Sequence, residues 1–485
     1  MLKKNTHFLL FAYTTVFSLI LVITSSTVSA DIDQVTANQV IGKTRTQIMS
    51  ENPWLVKQIS RGGGFGNNFS RAIAHNMYSR TNQAALQDAR EKLVVTKLAD
   101  RTWVLQFPIV NVAVFETDEG LVVIDSGYAP AGPALKEALA KLSSKPVHTI
   151  VISHFHIDHA LGAWALIEHA ESNPNIPKPR IIATREFLRQ QQRDLDLSAY
   201  MTKRTHQAAA TAPKTWADVV KPTQVFDQEL TITVGGEPFV LKSARGETED
   251  QLYVYAPDRR TLVTADYYQR FIPNAGNGRR PVRFISDWAK ALSDMAALNS
   301  VLMIPMHGPA INDSTEIKDR LSAHAKILSN IDSQVKDSLN ADTPEYLIAD
   351  QIVTPKAVVG RDDTDELYVS IKDIAKMSLY QHTGWWDDIP SSWDATPMTK
   401  MAKEFISMAG GIEKVVARAQ ALTTTDIRLA CQLIDQAWLA QPQNNNVLTA
   451  AYAIYLERLK DDEPLQEALV YLDHLTRLRI AINSD

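Results

Sequence analysis

The run Thr149-Ile150-Val151-Ile152 is apolar and β-branched, and it stops abruptly at Ser153-His154-Phe155-His156-Ile157-Asp158-His159. Such a run reads as a buried strand. Three histidines and an aspartate then fall within six residues, His154 to His159. Two residues apart, the imidazoles of His154 and His156 point the same way in an extended segment, and Asp158 and His159 face a second position beside the first. A lone histidine is ordinarily a satisfied core residue. Four nitrogen and oxygen donors at one strand end are costly unless something binds there, and their borderline hardness suits zinc or a similar divalent ion. A chance cluster of surface or hydrogen-bonded core histidines is the competing reading, and the density of the motif weighs against it.

The chain has 485 residues, enough for two domains and a leader. A net charge of −5 and the absence of a basic run leave no electrostatic footprint for nucleic acid. Residues 1–30 read as a signal peptide: Lys3 and Lys4 open it, Phe8 to Ile23 are apolar, and Val28-Ser29-Ala30 offers a cleavage site before Asp31. An uncleaved anchor is the alternative. Nothing else is long enough to span a bilayer, so the expected location is periplasmic or secreted. The single cysteine, Cys431, cannot form an internal disulfide and sits at helical spacing beside Leu429 and Leu433, as a small buried apolar residue would.

Residues 31–92 form a weakly periodic N-terminal extension, and its glycine run at 61–68 reads as a loop. Short β-rich runs begin at Leu93 and end at Asp125-Ser126-Gly127. A helix follows over 131–142, then the strand into the histidine motif. Residues 190–222 read as a long polar excursion. Strands return at 230–234, 239–244, 251–256, 261–265 and 301–308, the last ending in His307. Residues 312–345 read as helical. Beyond a tryptophan-rich segment, GWWDDIPSSWDATP, four amphipathic helices are expected at about 400–422, 425–440, 446–460 and 464–479, paired in tetratricopeptide fashion without a clean repeat.

The pattern His154-x-His156-x-Asp158-His159 after a strand resembles the signature of the metallo-β-lactamase superfamily. The resemblance implies an α/β fold, an αββα sandwich over 93–345, then a connecting segment, 346–399, and an all-α dimerisation domain, 400–485. It also implies two zinc ions, held by His154, His156 and Glu247 on one side and by Asp158, His159 and His307 on the other, with Asp266 between them. Asp158 and Asp266 are the carboxylates expected to take part in catalysis. Glu249 and Asp250 stand beside Glu247 and compete for its place. Glutamate there, the segment from Ile374 to Pro390, and the stretch from Met408 through DIRLACQLIDQAWLAQP are similar to the alkylsulfatase branch, which hydrolyses alkyl sulfate esters and dimerises through its helical domain.

That branch implies a homodimer acting on a small anionic ester by metal-activated water. Its sulfate-binding stretch is loosely echoed by Asn274, Arg279, Arg280, Arg283 and Trp288, with Asn274, Arg279 and Arg280 the expected substrate contacts. A solvated basic loop is the equal alternative, and the tryptophan segment reads equally as an aromatic core plug. The chain departs from the branch at Asp266, where glutamate is common, at Asp388 and Ile389, and in ending where larger members add a sterol-carrier-like domain. Tyr253, Tyr267 and His382 are the proton-donor candidates. A lactonase, phosphodiesterase or β-lactamase on the same site is the alternative enzyme, and a non-catalytic metal-binding partner protein the alternative of another class.

Overall fold

The computed structural model describes residues 40–59, 77–204, 212–461 and 464–483. The leader at 1–30 and the glycine run at 61–68 lie outside them. The first sheet has seven strands in sequential spatial order: β1 (Val94–Ala99), β2 (Thr102–Gln106), β3 (Asn111–Glu116), β4 (Leu121–Ile124), β5 (Val147–Val151), β6 (Arg180–Thr184) and β7 (Gln224–Phe226). Its first four strands are antiparallel because tight turns join them. From β4 onward they run parallel, each crossover carrying helix, and β4 pairs β5 with Val123 opposite Ile150. The second sheet has β8 (Glu229–Val234), β9 (Glu237–Ser243), β10 (Leu252–Ala256), β11 (Thr261–Val263) and β12 (Leu302–Ile304), with β12 added parallel to β11.

The central strands β3 and β4 read as near-continuous apolar runs because both of their faces are covered. Val112, Val114, Val123 and Ile150 share one core with Val234, Phe239, Leu241 and Val254 of the other sheet and with Leu135 and Leu139 of the helix Gly132–Leu142. Phe115 meets Phe239 edge-on at 5.4 Å between the sheets. A second core joins Leu262 and Met303 to the helices Ile285–Ala296 and Ser314–Asn340 on the far side. Helix, sheet, sheet, helix is the αββα sandwich expected from the sequence.

A third core belongs to the helical domain, built from Met398–Met408, Ile412–Leu422, Ile427–Ala440, Asn445–Arg458 and Leu465–Ile482. The single helix expected over 400–422 is two, broken at Gly410 and Gly411, whose φ angles of 81° and 117° suit glycine and end the first helix. Apolar spacing continues across the break and disguises it. The remaining breaks fall where turn residues place them, with Asn444 capping Asn445–Arg458 through Asn446 and Val447. Cys431 is buried here. Two helices of the N-terminal extension, 40–51 and Pro53–Ile59, pack on this domain and lend it Ile48 and Leu55. Tryptophan side chains of 385–393 do not plug a core: Trp385 and Trp393 are 64% and 66% exposed and lie 5.3 Å apart.

Candidate metal centre

Five strands from both sheets end on one edge of the sandwich, and each delivers a polar residue there. Asp125 follows β4, His154 follows β5, Glu247 follows β9, Asp266 follows β11 and His307 follows β12. The register that buries the apolar strands therefore gathers the donors. The turn after the motif demands close approach: Gly162 N–H donates to the Gly127 carbonyl at 2.8 Å, and a Cβ on Gly162 would stand 1.9 Å from the Ser126 carbonyl oxygen.

All seven residues named for the two ions are brought together. Within each of three groups, His154-His156-Glu247, Asp158-His159-His307 and His154-His159-Asp266, one potential ligand atom per residue lies within 4.8 Å of the others. His154 Nε2 is 2.9 Å from His156 Nδ1. His307 Nε2 is 3.2 Å from Asp266 Oδ2 and 3.6 Å from Asp158 Oδ2, while His159 Nε2 is 3.5 Å from both Asp158 Oδ2 and Asp266 Oδ1. Asp266 thus faces both halves. His159 Nε2 and Asp266 Oδ1 are fully buried and have no hydrogen-bond partner among the described residues. Orphaned buried acceptors and donors are costly, and two of them turned toward one point fit a divalent ion between them.

Outer partners fix each donor. Asp125 Oδ2 accepts from His159 Nδ1 at 2.8 Å, and its carboxylate also accepts from the Ser153 amide at 2.7 Å and hydroxyl at 2.8 Å. His307 Nδ1 donates to the Ile109 carbonyl, so its Nε2 is the atom turned inward. Asn111 holds the His307 turn through the carbonyls of Pro305 and Gly308, both at 2.7 Å. Glu247, not its neighbours, enters the cluster. Glu249 pairs with Arg189 on the surface, and Asp250, though buried, belongs to none of the three donor groups. Glu247 Oε1 accepts from Asn274 Nδ2 at 2.7 Å and lies 3.1 Å from Arg283 Nη2, while Gln269 Nε2 donates to Asp266 Oδ2 at 2.8 Å.

Electrostatics follow from burial and crowding. Burial pushes the Glu247 carboxyl up to about 7, with Arg283 opposing and Asp266 adding to the rise. Burial also opposes charge on His159, but Asp266, Asp158 and Asp125 outweigh it and raise its pKa well above the ordinary value. His154 and His156 are lowered by burial and by their histidine neighbours. The carboxylates thus gather around His159, while His154 and His156 sit where burial disfavours a proton.

The expected substrate contacts separate. Asn274 is committed to Glu247, and Arg279 Nη2 reaches Asp473 of the helical domain at 3.3 Å. Arg280 is the half-buried cation whose field reaches His156, Asp194 and Tyr368. The proton-donor candidates are engaged with other partners: the Tyr267 hydroxyl donates to the Ala244 carbonyl, the Tyr253 ring packs edge-on against the Tyr267 ring at 6.0 Å, and His382 Nε2 bonds Asp332 at 2.9 Å between helices. Tyr368, which sequence reasoning passed over, is a phenol whose pKa burial raises and whose electrostatic neighbours are Glu247, Arg280, Asp158 and Asp266. No motif surrounds it, so only the fold reveals its place.

Comparison with known proteins agrees with the geometry. Residues 105–307 match the metallo-beta-lactamase superfamily, and residues 345–480 match the alkyl sulfatase dimerisation family. The chain therefore carries a metallo-beta-lactamase domain followed by an alkyl sulfatase dimerisation domain. A linear primary-alkylsulfatase of Pseudomonas sp. is 24% identical over 335 residues, covering 63% of this chain and 61% of that protein. An (R)-specific secondary-alkylsulfatase of Pseudomonas sp. is 23% identical over 69% of this chain and 55% of its own length. The chain thus spans little more than half of these relatives. The solved structure of the stereoselective inverting sec-alkylsulfatase Pisa1 from Pseudomonas sp. superposes with a TM-score of 0.70 at 19% identity, over 82% of this chain and 68% of that one, and so shares its fold.

Proposed function

We propose that this protein is an exported hydrolase of alkyl sulfate esters that works with two zinc ions and acts as a homodimer. The observation that carries the reading is the pair of donor groups meeting at Asp266, with the inner atoms of His159 and Asp266 left without protein partners. His154, His156 and Glu247 would hold one ion and Asp158, His159 and His307 the other. Bound there, two divalent ions supply the charge that activates water near neutral pH and offsets charge on the leaving sulfate. Asp125, Asn111, Asn274 and Arg283 keep the donors aimed, and Gln269 holds Asp266. Arg280 offers a guanidinium suited to a sulfate oxygen pair, and Tyr368 a phenol kept protonated. The alkylsulfatase relatives support the ester class, and the leader pattern of residues 1–30 supports export.

The test is metal content and sulfate release on one purified sample. Two zinc per chain, release of sulfate from a medium-chain alkyl sulfate, and a mature chain beginning at Asp31 in the exported fraction are expected. Two zinc with turnover of only a phosphodiester or a lactone would replace the substrate, and a chain without metal would overturn the reading.

A second copy of the chain is the partner that the helical domain calls for. Trp385 and Trp393 stand in solvent, and Met398, Met401 and Met408, at spacings that share one helix face, are 69%, 51% and 69% exposed. These residues lie inside the region matched by the dimerisation family. Replacing Trp393 and Met408 together by serine is expected to halve the mass seen by sedimentation while leaving metal content unchanged. A dimer that survives the exchange would place the interface elsewhere.

A further inference from the structure

The final helix, Leu465–Ile482, belongs to the helical domain, yet it holds two segments that flank the metal centre. Its Asp473 carboxylate accepts from Arg45 Nη2 at 2.9 Å and lies 3.3 Å from Arg279 Nη2. The three side chains are only 10 to 15% exposed. At the start of the same helix, Leu465 N–H donates to the Leu367 carbonyl at 2.8 Å and Gln466 N–H to the Tyr368 carbonyl at 3.1 Å. The Tyr368 ring stacks on Phe271 at 5.7 Å with the planes 5° apart. Phe271 opens the loop that contains Asn274, Arg279, Arg280 and Arg283.

That loop is pinned at three points. Asn274 and Arg283 fix it to Glu247, and at Gly276 it rests on the backbone of Asp373 and Ile374, 2.4 Å from where a Cβ would stand. Between these anchors the arginine pair projects, and Arg279 forms an ion pair with Asp473 of the helical domain. A buried carboxylate between two guanidinium groups contributes little net stability, because desolvation offsets the attraction, but it fixes geometry. Arginine has many rotamers, so tying Arg279 down reduces the freedom of Arg280 beside it.

We infer that Asp473 is a positioning residue: through Arg279 the helical domain holds the loop that presents Arg280 to the metal centre, and so sets affinity for the anionic group of the substrate. The inference rests on the sulfate-ester reading above for the identity of the anion, while the clamp itself rests on the contacts alone. The domain matched as a dimerisation unit is then also a wall of the site.

The test compares Asp473→Asn with Arg45→Met in the full-length, zinc-loaded protein. Asp473→Asn is expected to raise KM for an alkyl sulfate by about tenfold, with kcat and zinc content little changed, and to weaken binding of inorganic sulfate by a similar factor in calorimetry. Arg45→Met leaves the Asp473–Arg279 pair in place and is expected to lower the melting temperature without moving KM. Amide hydrogen exchange over residues 274–284 is read in both, and is expected to accelerate only in Asp473→Asn. Arg279→Gln breaks the clamp from the other side if Asp473→Asn does not fold. An unchanged KM and unchanged exchange in Asp473→Asn, or an equal KM rise in Arg45→Met, would overturn the clamp. If no sulfate ester is turned over but exchange of the loop still accelerates selectively, the clamp stands and the substrate reading falls.

Discussion

Exchanging Asp266 for alanine is expected to abolish zinc retention at one or both positions and to lower turnover by ~10³-fold or more, about 4 kcal/mol of barrier at 1.36 kcal/mol per decade. Asp266 follows the short strand β11 and is 4% exposed. Its two oxygens reach different histidines, Oδ2 standing 3.2 Å from His307 and 4.0 Å from His154, and Oδ1 standing 3.5 Å from His159. No other carboxylate of the cluster faces all three. Its loss would leave histidines from both halves of the centre without the anion that balances two dications. Gln269→Ala, which removes the 2.8 Å donor to Asp266 and a longer, 3.4 Å bond to Glu247 Oε2 but no ligand atom, is expected to weaken metal affinity by roughly 10- to 100-fold and leave a functional centre. Zinc content after dialysis against a chelator, with turnover on the same samples, separates the two. An Asp266→Ala protein that keeps both ions and its activity would remove Asp266 from the centre.

The largest loss of stability is expected far from the metals, at Asp363. This carboxylate is fully buried, where the chain after the long helix Ser314–Asn340 folds back against it. It accepts from Arg361 Nε at 2.8 Å and Nη2 at 3.2 Å and lies 3.1 Å from Arg320 Nη1, while His324 Nε2 bonds its main-chain carbonyl at 2.9 Å. Asp363→Ala would leave guanidinium groups facing a void, a loss of about 3–5 kcal/mol. Burial works against its charge, but the hydrogen bonds of His324 and Arg361 prevail and hold the carboxyl well below the usual carboxylate range. With the folded pKa depressed, the stabilisation is complete above the unfolded value near ~3.9 and is lost as pH falls through the folded one. The gap between wild type and Asp363→Ala should therefore be widest near neutrality and close below about pH 4, in urea unfolding followed by circular dichroism. A gap independent of pH would assign the loss to packing. Asp332 behaves in the same sense: burial opposes its charge, but Lys336, Ser286, Ser378 and His382 depress its pKa, so the variant keeps part of the wild type's acid sensitivity.

Much of the site was legible before any fold was known, because its parts are local. A β-branched strand, a histidine motif within ten residues of it and carboxylates or histidines at the ends of later strands are features of neighbouring residues. Strand periodicity fixes them without reference to the rest of the chain. The helical half was legible for the same reason, apart from the glycine break at 410–411, where continuous apolar spacing outweighed the turn signal.

What the tertiary structure alone decided is which side chains meet. Glu247 rather than Glu249 or Asp250 enters the cluster because the turn after β9 directs it inward, where Arg283, 36 residues away, pairs with it. Asn274 holds that glutamate, although its place in the sequence had made it a substrate contact. Asp125 aims His159 across 34 residues, and Arg279 turns outward to Asp473 across 194. Tyr368 has no sequence signature. Such pairings are set by through-space burial and charge between distant elements, on which local patterning carries no information. The sequence by itself determined the donors and the strands that carry them; the packing of two sheets and a helical domain decided their partners, because a buried charge is tolerated only where the whole fold supplies its counterpart.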